Sequence, residues 1–344
     1  MKVSVLGAGA IGSMFGGLIK HFAPETEVVL ITRGEHLRRI NEQGGIRILG
    51  YWGDVTVDVE ASEDPKLIEG SDFVLLTVKS YSTETAMTQA KPFLGDATLI
   101  SIQNGFNQST LASFIPPERS VMGMTATSMA LVEPGTVELR RNGISVIGPA
   151  SDSTPLDVVQ SASDVLSCSD LAIKVDPNIV GAQYNKLIAN TLGVASTLTG
   201  SPQIPDAILD TRWRNQVALP LQLEAIRVLE HANIPLSNVP DGSNVWKFRR
   251  LLRLMNVPVL GSIIKSVVWM LFRKKPMRFS IGEDLRRGRA TEIDYINGEL
   301  VRLAESVGTT APRNAKIMEL VDQLAKTGRS LSLDELSEQF EKIA

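Results

Sequence analysis

The stretch Lys2–Gly12, KVSVLGAGAIG, decides the fold of the first half of this 344-residue chain. Three of its first five residues are apolar and two of these are β-branched valines, which predicts a buried parallel strand. The next six match G-x-G-x-x-G, in which Gly7 allows the tight turn, Gly9 lets a pyrophosphate approach the backbone, and Gly12 lets the following helix pack on the strand. Because a strand precedes the glycines and a helical stretch follows them, we predict a dinucleotide-binding site rather than a glycine-rich turn without a ligand.

The end of the second predicted strand, Glu27–Ile31, indicates which dinucleotide binds. An NAD site usually has an acidic residue at this point, about 20 residues beyond the glycines, to bind the ribose hydroxyls. This chain has Thr32 and Arg33 instead. An acid would repel a 2′-phosphate, whereas an arginine would pair with it. We therefore predict NADP as the cofactor and Arg33 as its phosphate contact; the alternative for Arg33 is a solvated loop charge.

Composition places the chain among ordinary globular proteins. Hydrophobic residues make up 43% and charged residues 21%, which excludes disordered and fibrous classes. The formal net charge of −3 gives no electrostatic case for nucleic acid as a partner. The one cysteine, Cys168, cannot form an internal disulfide and fits a reducing compartment, so we expect a cytoplasmic protein. Three histidines leave little material for a metal site, and we expect none.

Polar residues follow two further predicted strands, Asp72–Val78 and Ala97–Ile102. A helix over Thr83–Pro92 between them gives βαβ alternation, which predicts a parallel sheet with right-handed crossovers. Lys79 and Asn104 stand just after the carboxyl ends of these strands, where residues of such a sheet face the cofactor crevice. The alternative for both is a polar loop residue without a ligand.

The pattern changes further along the chain. Two short β-rich runs, Val137–Arg140 and Ile144–Ile147, predict a hairpin that completes the sheet. After Asp176 the strand signals largely stop, and long helical patterns follow over Ile179–Leu198, Asp206–Ala232, Leu285–Val307 and Asn314–Lys326. We predict an α/β protein with an N-terminal Rossmann-type dinucleotide-binding domain over residues 1–176 and an all-α domain over 177–344.

Lys186 and Asn190 are four residues apart in the first of these helices, so their side chains project from one face. Apolar neighbours partly desolvate the lysine, and desolvation lowers a lysine pKa and makes the group a usable proton donor. Glu292 opens a later amphipathic helix. A lysine and a glutamate on separate helices are able to form the orienting pair of a general acid site. Surface ion-pairing residues are the alternative that the sequence leaves open.

Together these motifs resemble the ketopantoate (2-dehydropantoate) 2-reductase family. The resemblance runs in order over nearly the whole chain and is carried by the glycine motif, Gln103–Gly105, the Lys186–Asn190 run, Thr291–Gly298 and Gly308–Asn314. It implies an enzyme that reduces the ketone of ketopantoate with NADPH and gives pantoate, on the route to pantothenate and coenzyme A.

The resemblance also implies a role for each matching residue. Lys186 would be the general acid that protonates the carbonyl oxygen as hydride arrives, and Glu292 would hold and tune it. Asn104 and Asn190 would orient the substrate and the lysine, and Ser280 would bind the substrate. The cofactor would contact the glycine loop and the strand ends, through Gly7, Gly9, Ala10, Ile11, Gly12, Arg33, Lys79 and Asn104.

Val194 is the first departure from the family pattern, which usually has a second substrate-contacting asparagine at this position. A valine cannot form that hydrogen bond, and loss of a matched polar contact changes discrimination strongly. A related reductase for a larger or less polar oxo acid is therefore an alternative. An alternative of another class is a non-catalytic NADP-binding sensor or interaction protein, against which the retention of Lys186, Asn190 and Glu292 argues.

The second departure is an insert over about 244–279. Between residues 243 and 281 the sequence has no acidic residue and nine basic ones: Lys247, Arg249, Arg250, Arg253, Lys265, Arg273, Lys274, Lys275 and Arg278. The apolar run Val257–Phe272 has 16 residues with a lysine in its middle, too short and too charged for a membrane span of about 20. Three interpretations are open: a packed helical hairpin with a solvated basic face, a lid that enlarges the pocket and attracts an anionic substrate, and an interfacial helix on an anionic membrane. The sequence leaves the oligomeric state open, a homo-oligomer included.

Overall fold

The computed structural model describes residues 1–200, 204–237, 239, 244–272, 279–341 and 343. The chain divides into two compact units, one made of Met1–Gln183 with Val239 and the other of the chain from Tyr184 onward without Val239. This division lies a few residues after the predicted boundary at 176 and falls within a helix.

The first unit holds the strands, which in chain order are β1 (Lys2–Leu6), β2 (Glu27–Ile31), β3 (Ile46–Gly50), β4 (Gly53–Val57), β5 (Glu60–Ser62), β6 (Phe73–Leu76), β7 (Thr98–Ser101), β8 (Ser120–Thr125), β9 (Ser128–Glu133), β10 (Thr136–Arg141), β11 (Ile144–Pro149) and β12 (Ala172–Val175). The main sheet has eight strands in the order β12-β11-β8-β7-β6-β1-β2-β5. Every pair in it is parallel except β8 with β11.

The helices of this unit are α1 (Ala10–Phe22), α2 (Gly34–Glu42), α3 (Thr83–Ala90), α4 (Gln108–Leu111) and α5 (Leu156–Ser167). Alternate residues of β1 belong to different hydrophobic clusters, Val3 and Val5 to one and Leu6 to the other. Burial on both faces is typical of a parallel sheet covered by helices and explains why β1 reads as a nearly continuous apolar run. The predicted Rossmann-type architecture is confirmed.

The predicted hairpin between β10 and β11 is wrong. β10 belongs to a second, four-stranded sheet in the order β4-β3-β10-β9, whereas β11 pairs with β8 and β12 in the main sheet. Gly143, between the two strands, lies so close to Ala126 that a Cβ would be 2.5 Å from its carbonyl oxygen. Alternating hydrophobicity indicates which face of a strand is buried, but it does not identify the partner strand.

The second unit is helical, and no strand occurs after Val175 in the described part of the chain. Its helices are α6 (Ile179–Thr197, from Tyr184), α7 (Ile204–Leu209), α8 (Thr211–Trp213), α9 (Leu219–His231), α10 (Val245–Leu254), α11 (Leu260–Phe272), α12 (Ser280–Arg286), α13 (Ile293–Ser306), α14 (Pro312–Thr327) and α15 (Leu333–Glu341). The predicted all-α character of this part is confirmed. None of the helices in the described ranges combines the length and apolarity that crossing a bilayer requires.

Two of the predicted long helices are interrupted. Within 206–232, Asp210 accepts a hydrogen bond from the Trp213 backbone and starts a new helix, which continues through a π-helical turn at Arg214–Ala218. Within 285–307, α12 ends before Gly288, whose φ of +62° suits glycine. Apolar residues continue in the sequence across both breaks, so hydrophobic periodicity alone did not locate them.

Candidate active site

The glycine-rich loop is held tightly against the end of β6. Gly7 has a φ of +90°, and a Cβ placed on it would lie 2.3 Å from Val78 Cγ1. A Cβ on Gly12 would lie 2.3 Å from Thr77 Oγ1. The Gly7 N–H donates to the Ile31 carbonyl at 3.0 Å, which fixes the loop to the end of β2 as well. No side chain larger than hydrogen fits at either glycine.

The space beside Gly9 is open, in contrast to Gly7 and Gly12. The nearest atom to a Cβ placed on it is 4.0 Å away, and the residue is exposed at the start of α1. Ala10 and Ile11, the first two residues of that helix, are only partly buried. The loop therefore presents open backbone and a helix N-terminus, which suits the negative charge of a pyrophosphate. Gly9, Ala10 and Ile11, which were predicted to contact the cofactor, therefore have room for the pyrophosphate of a dinucleotide.

Arg33 stands exposed just after β2 and before the first residue of α2. Two nearby arginines have acidic partners: Arg38 pairs with Glu35 and Glu42, and Arg39 with Glu42. Within the ranges that the structure describes, Arg33 has no ion-pair partner. Its guanidinium is therefore available for an anionic group.

The loops after β6 and β7 are tied to each other. Buried Gln103 donates from Nε2 to the Val78 carbonyl at 2.8 Å, and the Asn104 carbonyl accepts from Ser80 Oγ at 2.5 Å. These bonds place Lys79 and Asn104, both partly buried, on adjacent loops at the carboxyl edge of the sheet. The sequence did not assign a role to Gln103; a polar residue directly after a buried strand was the available signal.

In the second unit, α6 carries Lys186 and Asn190, each partly buried, on one face. Glu292 lies 2% exposed where α13 begins. Desolvation lowers the pKa of Lys186 to about 8, and the negative charge of Glu292 opposes that shift. The structure thus brings Lys186 and Glu292, which are far apart in sequence, into electrostatic contact.

The beginning of α12 packs against α6. A Cβ placed on Gly193 would lie 2.2 Å from the ring of Phe279, so only glycine fits beneath that ring. Phe279 directly precedes Ser280, which is exposed as the first residue of α12. Val194 is 1% exposed and belongs to the core. Phe279 packs on Gly193, one helical turn after Asn190, and Ser280 is the next residue along the chain. Val194 is buried and does not lie at the surface.

Two residues next to Lys186, which the sequence did not assign, hold α6 in place. Asn185 donates from Nδ2 to the Ser237 carbonyl at 2.7 Å and accepts from the Val245 N–H at 2.9 Å. The Tyr184 hydroxyl lies 3.1 Å from Glu299 Oε1. These contacts limit the rotation of α6, the helix that carries Lys186. Among the described residues, no cluster of three or more His, Cys, Asp or Glu is arranged to hold a metal ion.

Comparisons with known proteins agree with this architecture. The family model "Ketopantoate reductase PanE/ApbA" matches residues 3–152, and the model of the C-terminal part of the same family matches residues 178–325. The 2-dehydropantoate 2-reductase of Pyrococcus abyssi is 29% identical over 93% of this chain and 97% of its own length. The Halobacterium salinarum 2-dehydropantoate 2-reductase is 26% identical over 95% and 100%.

Solved structures give the same result. A PanE/ApbA family ketopantoate reductase from Ralstonia eutropha JMP134 is 26% identical, with a TM-score of 0.77, over 95% of this chain and 99% of that one. A D-mandelate dehydrogenase bound to NADH and anilino(oxo)acetate shares the fold, with a TM-score of 0.78 at 24% identity over 95% and 99%. The chain belongs to the ketopantoate reductase PanE/ApbA family.

Proposed function

We propose that this chain is an NADP-dependent reductase that converts 2-dehydropantoate to pantoate. The observation that carries the proposal is the desolvated Lys186, with a pKa of about 8 beside the buried carboxylate of Glu292. A lysine in this state is a proton donor matched to neutral pH. Relatives named 2-dehydropantoate 2-reductase align over more than nine tenths of the chain and support the choice of substrate.

Residues of the first unit would hold the cofactor. The amides around Gly9 would bind the pyrophosphate, and Arg33 would bind the 2′-phosphate that distinguishes NADP from NAD. Lys79 and Asn104 stay predicted contacts at the ends of β6 and β7. When bound, the reduced nicotinamide supplies a hydride to the ketone carbon.

Lys186 acts on the ketone oxygen. Hydride addition to the carbon builds negative charge on this oxygen, which the Lys186 ammonium stabilises and then protonates. The lysine is left as a neutral amine and regains its proton from solvent. Glu292 holds the ammonium and limits the fall of its pKa, and Asn190, Asn104 and Ser280 would orient the substrate.

Neither alternative is favoured by the comparisons. A non-catalytic sensor would not need a desolvated lysine beside a buried glutamate. A reductase for a larger or less polar oxo acid rests on Val194, which is part of the core, and on the insert over about 244–279. A cytoplasmic location stays a proposal, supported by the one unpaired Cys168.

Consumption of NADPH by the purified chain with a panel of 2-oxo acids tests the proposal. We expect the highest kcat/KM with 2-dehydropantoate, a lower one with its analogue that lacks the hydroxyl, and a loss of roughly 10²–10⁴ in kcat for Lys186→Ala with NADPH binding retained. Turnover of only other oxo acids would favour the second reductase, and no turnover at all would favour the sensor. Full activity of Lys186→Ala would show that the assigned proton donor is wrong.

A further inference from the structure

Helix α11 presents an apolar stripe to solvent. Leu260, Ile263, Val267 and Met270 follow one another at spacings of three, four and three residues, so they lie on one side of the helix. Their exposed fractions are 43%, 58%, 43% and 58%. Val259, directly before the helix, is 76% exposed and extends the stripe. Contiguous exposed apolar surface of this kind usually marks an interaction site.

The opposite side of the α10–α11 hairpin is packed as an ordinary core. Leu252, Met255 and Val268 are buried, and a Cβ placed on Gly261 would lie 2.3 Å from the Met255 carbonyl oxygen. The turn between the two helices is anchored by Asn256, whose Oδ1 accepts two hydrogen bonds from the Arg214 guanidinium. The apolar stripe is thus exposed because the inner face already has its partners.

The same hairpin carries exposed basic and aromatic side chains. From 244 to 272 the chain has five basic residues and no acidic one, and Lys247, Arg250 and Arg253 are exposed. Four more basic residues follow in the sequence at positions 273–278. Trp246 and Trp269 are 49% and 50% exposed. Tryptophan favours the boundary between lipid head groups and acyl chains, and lysine and arginine are attracted to anionic head groups.

We propose that the α10–α11 hairpin docks on the surface of an anionic membrane, with the stripe of α11 inserted at the head-group boundary. An anionic bilayer satisfies the apolar stripe and the positive charge at once. A nucleic acid would leave the aliphatic stripe in water. A second copy that offered the same hairpin would bring like charges together. The inference is independent of the proposed activity, since none of these residues is assigned to the cofactor or the substrate.

Flotation of the full chain with lipid vesicles tests this proposal. We expect flotation with vesicles that contain phosphatidylglycerol, none with phosphatidylcholine alone, and weaker binding as salt is raised, because salt screens the attraction. The double variant Ile263→Asp/Met270→Asp should reduce partitioning at least tenfold, and so should Arg250→Glu/Arg253→Glu. Matched controls are Leu156→Asp, an exposed apolar residue of α5, and Lys326→Glu, an exposed basic residue of α14.

NADPH turnover or circular dichroism confirms that each variant is folded, so a lost signal is not a folding defect. Absence of flotation with anionic vesicles overturns the proposal. Equal binding by Ile263→Asp/Met270→Asp and the unsubstituted chain also overturns it. A dimer in light scattering that the same double variant dissociates, without lipid binding, would assign the stripe to a second copy instead.

Discussion

The burial of Lys186 predicts how kcat/KM should depend on pH. Desolvation lowers its pKa to about 8, with the charge of Glu292 acting in the opposite direction. A general acid must be protonated before it reacts, so kcat/KM for 2-dehydropantoate should be level below about pH 8 and fall about tenfold per pH unit above it. The pH–rate profile of the free enzyme measures this.

The variant Glu292→Gln tests, in the same pH–rate profile, whether Glu292 is the electrostatic partner of Lys186. Removing the negative charge withdraws the influence that raises the Lys186 pKa, so the break in the profile should move to lower pH. Glu319→Gln, at an exposed ion pair with Lys316, is the matched control and should leave the break in place. A break that does not move in Glu292→Gln would contradict the assigned electrostatic role.

Arg33 should determine the choice between the two nicotinamide cofactors. In Arg33→Ser the 2′-phosphate loses a charge-assisted hydrogen-bond partner, worth about 1.5–3 kcal/mol, which corresponds to a rise of roughly 10- to 100-fold in the KM for NADPH. The KM for NADH should change little. Steady-state kinetics with both cofactors measure this, with Arg39→Ser as control, and an equal change for both cofactors would exclude the phosphate contact.

His36 connects three elements of the first unit. Its Nδ1 accepts from the Gly135 N–H at 2.9 Å in the turn between β9 and β10. The ring is therefore neutral with its proton on Nε2, which lies 3.0 Å from Ser13 Oγ of α1. Ser13 Oγ in turn donates to the Ala8 carbonyl at 3.1 Å. One buried histidine of α2 thus supports the glycine-rich loop.

Burial lowers the pKa of His36 below its usual 6.5. The folded state therefore favours the neutral ring, so this contribution to stability is complete above pH 6.5 and is lost as pH falls through the lowered pKa. Urea unfolding should give a smaller free energy of unfolding at acidic pH, and His36→Gln should lose this part of the pH dependence. His21→Gln, at an exposed histidine, should keep it; equal pH dependence in both variants would contradict the argument.

Asn256 anchors the insert to the rest of the second unit. The Arg214 guanidinium is fully buried and donates to Asn256 Oδ1 at 2.9 Å and 2.6 Å, while Asn256 Nδ2 donates to Asn215 Oδ1 at 2.6 Å. Asn256→Ala should lower the free energy of unfolding by about 1–3 kcal/mol, because the buried Arg214 guanidinium loses the acceptor of its Nε–H. Urea unfolding measures this. Asn256→Asp keeps the acceptor and should retain more stability than the alanine variant.

The elements differ in how far the sequence could define them. The strand of Lys2–Leu6 and its glycine turn are set by neighbouring residues, so local pattern predicts them well. The pairing of β10 depends on β3, almost ninety residues earlier in the chain, and no local signal carries it. Lys186 and Glu292 could be assigned because they match the motifs of the family. The burial of Val194 and the link that Gln103 makes between two loops depend on tertiary packing, which the sequence does not show.

The division of the molecule into two units separates the residues assigned to the cofactor from the proton donor. The glycine loop, Arg33, Lys79 and Asn104 all belong to the first unit, and Lys186 and Glu292 belong to the second. The sequence predicts this two-part organisation because strand signals stop after Asp176. Each unit has its own buried core, so cofactor binding and proton donation should respond separately to substitution.

NADPH should therefore stabilise the chain through the first unit alone. A ligand at 100 times its Kd adds about 2.7 kcal/mol to the folded state that binds it. We expect a rise in Tm with NADPH that Lys186→Ala retains in full and Arg33→Ser largely loses; differential scanning calorimetry measures both. NADH, without the 2′-phosphate, should give the smaller shift. An equal shift with both cofactors, or a shift abolished by Lys186→Ala, would contradict the assignment of cofactor binding to the first unit.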